Sequence, residues 1–171
     1  MHVLVIIDQD REPIDVTTAA ELEHAVHFAS EEARTRGMLN VIYIEAPNGD
    51  ALSVVVGGDE TVLGFTCGHG DPPYYESRGS VADDRPLLTA YVSFRHHTEF
   101  ARRCVIPMQM GMSAGKEFVE TGSPHVCLVG RDVGSSLTGR DQAFAGGHGS
   151  SRLCPPYACC GSTHPTRYAP H

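Results

Sequence analysis

The segment FRHHTEF, residues 94–100, places His96, His97 and Glu99 within four positions, and imidazole beside carboxylate is the pairing that general acid and base catalysis uses. Side chains on an extended strand alternate between faces, so His97 and Glu99 share a side while His96 takes the other. A hydrolase reading would rest on His97 and Glu99 alone, and one His/Glu pair carries little weight.

Thiols and imidazoles offer a second chemistry. Cys67 and His69 stand in CGHG, and Cys154, Cys159, Cys160 and His164 stand in a cysteine-rich run near the end. Zinc favours such donors. Neither stretch shows two paired clusters separated by a finger-length loop, which is the usual signature of a structural site. No metal and no cofactor is expected, and a small metal-binding or redox-responsive protein is the alternative function. The glycine pair in VVVGGDETVLGF lacks the lysine and Ser/Thr of a phosphate loop and precedes a strand, so it reads as a turn.

These residues must be positioned by regular elements. HVLVII, residues 2–7, reads as a buried strand. Thr18 and Glu21 form a capping box ahead of Leu22, Ala25, Val26, Ala29 and Ala33, whose spacing marks one helix face, with Gly37 as terminator. From Met38 the period falls to two. LNVIYIEA alternates around Leu39, Val41 and Tyr43, PNGD makes a hairpin turn, and ALSVVV, ETVLGFTCG and PLLTAYVSFRHH supply further strands. A helix spans about Met108 to Thr121, with Met110, Ala114 and Phe118 on one face and Gly111 and Gly115 weakening it. Strands joined by short turns predict an antiparallel meander, and the class is α+β, with one helix near the amino terminus and one after the sheet.

With 171 residues the chain is sized for one domain. Its net charge of −8 is unevenly spread: residues 1–125 carry 19 acidic against 9 basic side chains, the remainder 2 against 4. So acidic a surface repels phosphate backbones, which argues against direct nucleic-acid binding and for a basic protein partner. No long apolar run suggests a membrane span, and HVLVII is too short for a signal-peptide core, so a cytoplasmic protein without disulfides is expected. The acidity gathers with aromatic residues near sheet ends: Asp59 and Glu60, then Asp71, Tyr74, Tyr75 and Glu76, then Asp83 and Asp84. Tyrosines beside unpaired carboxylates suit a surface that grips a basic partner.

The stretches VTTAAELEHAV, LSVVVGGDETVLGF, PYYESRG, HHTEF and VIPMQMGMSAGKEFVETGSP follow one another as in immunity-protein family one of bacterial polymorphic toxin systems, which the chain resembles over about residues 3–125. The resemblance implies a small cytoplasmic α+β protein without catalytic residues. It would bind and neutralise a toxin encoded beside it, typically a deaminase-fold enzyme acting on nucleic acid, by occluding the groove that receives DNA or RNA.

Beyond His125 the chain departs from that family, which the resemblance would end with a short tryptophan-containing strand. There is no tryptophan here, and arginine supplies all but one of the basic residues, as GC-rich codons would. LVG, residues 128–130, can be written CTG GTG GGN, and a one-base shift turns it into two tryptophan codons. A frameshift near residues 123–126 and a poorly ordered tail over 126–171 are therefore expected, and sequencing the gene tests the first.

Overall fold

The computed structural model describes residues 1–69, 74–82 and 84–123, together with the backbone of 128–131. Strands β1 (Val3–Ile6) and β2 (Ile14–Val16) precede helix α1 (Ala19–Thr35). Then come β3 (Asn40–Glu45), β4 (Ala51–Val56), β5 (Glu60–Thr61), β6 (Leu63–Thr66), β7 (Tyr74–Ser77), β8 (Leu88–Val92) and β9 (His96–Phe100). A 3-10 turn at Arg102–Cys104, strand β10 (Ile106–Pro107), helix α2 (Met108–Thr121) and strand β11 (Leu128–Arg131) complete the order. The expected α+β class holds. Among the described residues no helix is long and apolar enough to cross a membrane.

The local signals act where the sequence places them. The Thr18 hydroxyl accepts from the Glu21 N–H at 3.2 Å while the Glu21 carboxylate accepts from the Thr18 N–H at 3.1 Å, closing the capping box. Hydrogen bonds from the Thr17 backbone and hydroxyl hold the Glu21 carboxyl below the usual carboxylate range. The β3–β4 hairpin turns through Gly49 at φ +85°, a left-handed conformation that glycine adopts without strain.

The main sheet has nine strands, seven of them in the order β11-β7-β6-β4-β3-β1-β2, each antiparallel to its neighbours along that path. Both helices cover one of its faces. There Val3, Val5, Ile42, Ile44, Leu52, Val54, Leu63 and Phe65 are buried with Leu22, Val26, Ala114, Phe118 and Val119, and Phe65 meets Phe118 edge-on at 6.0 Å. The face of β3 that packs on the helices is therefore Ile42 and Ile44, not Val41 and Tyr43, because both phases of this strand are apolar and only the pairing tells them apart.

Two expectations need correction. The strands do not form a simple meander: β5 leaves the main sheet to pair with β10, and β8 returns to lie parallel to β3 through Asn40↔Tyr91 and Val41↔Val92. The β8–β9 hairpin thereby covers a second, smaller core of Val41, Val55, Val62, Ala90, Cys104 and Val105 on the sheet's other face. Burial of those valines drives the return. On α2 the buried stripe is Gly111, Ala114, Gly115, Phe118 and Val119, while Met110 is 37 % exposed. A Cβ at Gly111 would lie 2.5 Å from Thr61 Cγ2 on β5, and one at Gly115 3.2 Å from Leu22 Cδ2 on α1, so the glycines that weaken the helix are positions of close packing.

Strand β3 is shared along its length, pairing β1 through Tyr43–Glu45 and β8 through Asn40 and Val41. Fully buried Asn40 fills the fork: its Nδ2 donates to the Ile7 carbonyl at 3.0 Å and its Oδ1 accepts from the Phe94 N–H at 3.2 Å. Ser93 and Phe94, at φ 50° and 56°, turn the β8–β9 hairpin, and the Arg36 guanidinium lies 4.0 Å over the Phe94 ring. Strand β11 lies past the boundary expected at residue 125, pairing β7 from Leu128↔Ser77 to Arg131↔Tyr74. The tail from residue 132 and, of the suspected junction at 123–126, residues 124–126 lie outside the described residues.

Candidate functional site

The acidic and aromatic candidates separate into two groups. Glu60, on β5, receives both guanidinium nitrogens of Arg102, one at 2.8 Å. The Asp84 carboxylate accepts from Arg103 Nη1 at 2.8 and 3.0 Å, and its carbonyl accepts from the Arg102 N–H at 3.2 Å. Glu76 Oε2 accepts from Cys104 Sγ at 3.6 Å. The 3-10 turn Arg102–Cys104 thus gathers three of the expected carboxylates, and neighbouring Ser77, buried, donates to the Cys104 carbonyl while accepting from the Leu63 N–H. For Glu60 and Asp84 pairing corrects the expectation of unpaired acids: Arg102 and Arg103 are distant in sequence, and folding brings them alongside.

The remaining candidates scatter. Asp59 is exposed and its carbonyl accepts from the Met108 N–H at 2.9 Å, opening α2. Tyr75 is half-buried on the helical side, its ring 6.2 Å from that of Phe65. Tyr74 is 36 % exposed. Asp71 and Asp83 lie outside the described residues. His96, His97 and Glu99 are exposed on β9, and the register sets His97 and Glu99 opposite Tyr91 and Thr89, on one side as expected. Cys67 is half-buried against the main core and His69 exposed. Among the described residues no group of three His, Cys, Asp or Glu side chains could hold a metal ion.

The register reveals what single strands conceal. On the face turned from the helices, one row crosses five strands as Ile6, Tyr43, Ser53, Gly64 and Glu76. A second row runs Asp15, Leu4, Glu45, Ala51 and Thr66. Tyr74, two residues from Glu76 on β7, joins this face. Every one of these residues is half-buried or exposed, whereas the positions between them on β1, β3, β4 and β6 are buried beneath the helices. The β8–β9 hairpin shields the end near Val41 and Val55, and half-buried Tyr43 packs against the edge of that smaller core.

Burial pushes the Tyr43 hydroxyl above its ordinary pKa, so it stays a neutral donor at physiological pH. The floor beside it is low: Ser53 Oγ donates to the Gly64 carbonyl at 3.2 Å, and a Cβ on Gly64 would stand 2.7 Å from that hydroxyl. The charged residues of the two rows are Asp15, Glu45 and Glu76, with no Lys or Arg at any of their positions. His2 Nε2 contacts Asp15 at 2.9 Å, and among the described residues no side chain pairs with the Glu45 carboxylate. Tyr43 and Glu45 escaped sequence reasoning. Their signal was the second phase of NVIYIE, which alternation exposes but only the pairing with β4 and β6 turns into a surface.

Comparison with protein-family models matches residues 10–128 to Immunity protein Imm1. Comparison with curated proteins gives no match. The family match takes in α1, the sheet from β2 to β10 and α2, which is more than half of the chain, and the chain belongs to the Imm1 immunity protein family.

Proposed function

We propose that this protein binds a cognate secreted toxin and neutralises it by occluding its active site, acting in the cytoplasm of the cell that makes both. The family match over residues 10–128 carries this reading. The toxin is proposed to be a deaminase-fold enzyme acting on nucleic acid. An enzyme that grips a polyanion presents a basic groove, and residues 1–125 hold ten more acidic than basic side chains. The protein contributes no chemistry of its own to this inhibition; it denies the substrate access.

Opposite charge steers such partners together, so association is fast and slows steeply with salt. The test is co-expression in bacteria of this protein with the toxin domain encoded beside its gene. Cells making the toxin alone should accumulate base changes and stop growing, and cells making both should grow normally. Growth arrest despite folded, abundant immunity protein would refute the proposal, and arrest without deamination would refute the toxin class alone.

A further inference from the structure

We infer that the open face of the sheet, centred on Tyr43, Ser53 and Gly64, is the surface that receives the toxin, and that its occupant is a basic, folded protein domain. This rests on the reading of the chain as a toxin-neutralising protein, and it moves the contact away from Glu60 and Asp84, which pair with Arg102 and Arg103. Those acids already face guanidinium groups of their own chain. A partner's arginine would have to displace a tethered one there, with little net gain.

The open face differs in charge, shape and size. Glu45 is the carboxylate of the two rows whose side chain no described residue engages, whereas Asp15 and Glu76 are held by His2 and Cys104; Arg131 stands opposite Tyr74 only at the far edge, and Tyr43 and Tyr74 stand on either side of a floor made of Ala51, Ser53 and Gly64. Aromatic anchors beside a low floor suit long arginine and lysine side chains, which can lie flat against a ring and end at a carboxylate. From β2 to β7 the face spans five strand spacings, about 24 Å at roughly 4.8 Å each. That is about the width of two packed helices, too broad for one extended peptide and fitted to a folded domain. Half-buried Leu4 and Ile6 add apolar area at one margin.

The experiment measures affinity of the full chain for a catalytically inactive variant of the toxin domain encoded beside its gene. Glu45→Arg and Ala51→Arg each place a cation on the face, and each should weaken binding at least tenfold. Phe28→Ser, at a position 54 % exposed on α1, should change binding less than twofold. Hydroxyl-radical footprinting of the unaltered complex needs no variant and should show Tyr43 and Tyr74 protected from oxidation. If the wild-type chain binds while both face variants bind within twofold of it and neither tyrosine is protected, the inference is overturned and the immunity function stands. Failure of the wild-type chain to bind would overturn both readings.

Discussion

Asn40 offers the sharpest test of how this fold is held together, because one fully buried side chain closes the fork between β1 and β8. In Asn40→Ala the Ile7 carbonyl and the Phe94 N–H both lose their partner. A buried polar group left without one costs about 1–3 kcal/mol. The Phe94 contact is only partly buried, so water recovers some of its loss, and about 2–4 kcal/mol in total is expected. For a domain of this size that lowers the melting temperature by about 8–16 °C, taking roughly 4 °C per kcal/mol. Urea unfolding followed by far-UV circular dichroism should show a lower midpoint with an unchanged slope. Asn40→Asp separates the two bonds. It keeps the acceptor for Phe94, loses the donor to Ile7 unless protonated, and buries a carboxyl whose neutral form the fold prefers. Its folded pKa therefore lies above the unfolded value of about 3.9, so the deficit is smallest below about pH 4 and grows as pH rises towards the folded pKa. A loss under about 0.5 kcal/mol in Asn40→Ala, or a pH-independent gap in Asn40→Asp, would refute the reasoning.

Gly111→Ala should destabilise by about 1–3 kcal/mol in thermal unfolding, because its Cβ would press on Thr61 Cγ2 at 2.5 Å, outweighing the roughly 1 kcal/mol gained in helix propensity. Gly115→Ala, whose Cβ would meet side-chain ends alone, Leu22 Cδ2 at 3.2 Å and Ile44 Cδ1 at 3.8 Å, should fall within about 1 kcal/mol of wild type by the same measurement. Burial pushes the Glu32 carboxyl up, but hydrogen bonds from Arg11 and Arg36 outweigh it and hold the group below its ordinary value. Its contribution is present above the unfolded pKa of about 4.3 and disappears as pH falls through the lower folded value. Glu32→Gln should therefore flatten the acid limb of the pH–stability curve, by less than about 1 kcal/mol for so superficial a network, as urea midpoints from pH 2 to 7 would show.

What the sequence made legible is what neighbouring residues decide among themselves. The capping box at Thr18 and Glu21, the Asn48–Gly49 turn and the stop at Gly122, φ +77°, are each settled within a few positions. The phase of β3 was not, because Leu39, Val41 and Tyr43 and the alternate Ile42 and Ile44 are equally apolar sets, and each is buried by a different layer. The return of β8 to β3 was equally hidden. It depends on Asn40 meeting a turn more than fifty residues away, a contact with no local trace.

The same distinction explains why the candidate site moved. Counting charges along the chain finds Glu60 and Asp84 but not the arginines that neutralise them, which lie 42 and 19 residues further on. Ion pairing lowers what these carboxylates can offer a partner, since a new cation gains only the difference between itself and the one displaced. Glu45, by contrast, looks ordinary in sequence and gains its setting from register: Leu4 on one side, Ala51 on the other, and Tyr43 two residues back on the same face. An acidic surface able to receive a toxin is therefore defined by which carboxylates the fold leaves unanswered. Density of acidic residues along the chain does not reveal this, because clustering is also what attracts the chain's own arginines, as at Glu60 and Asp84.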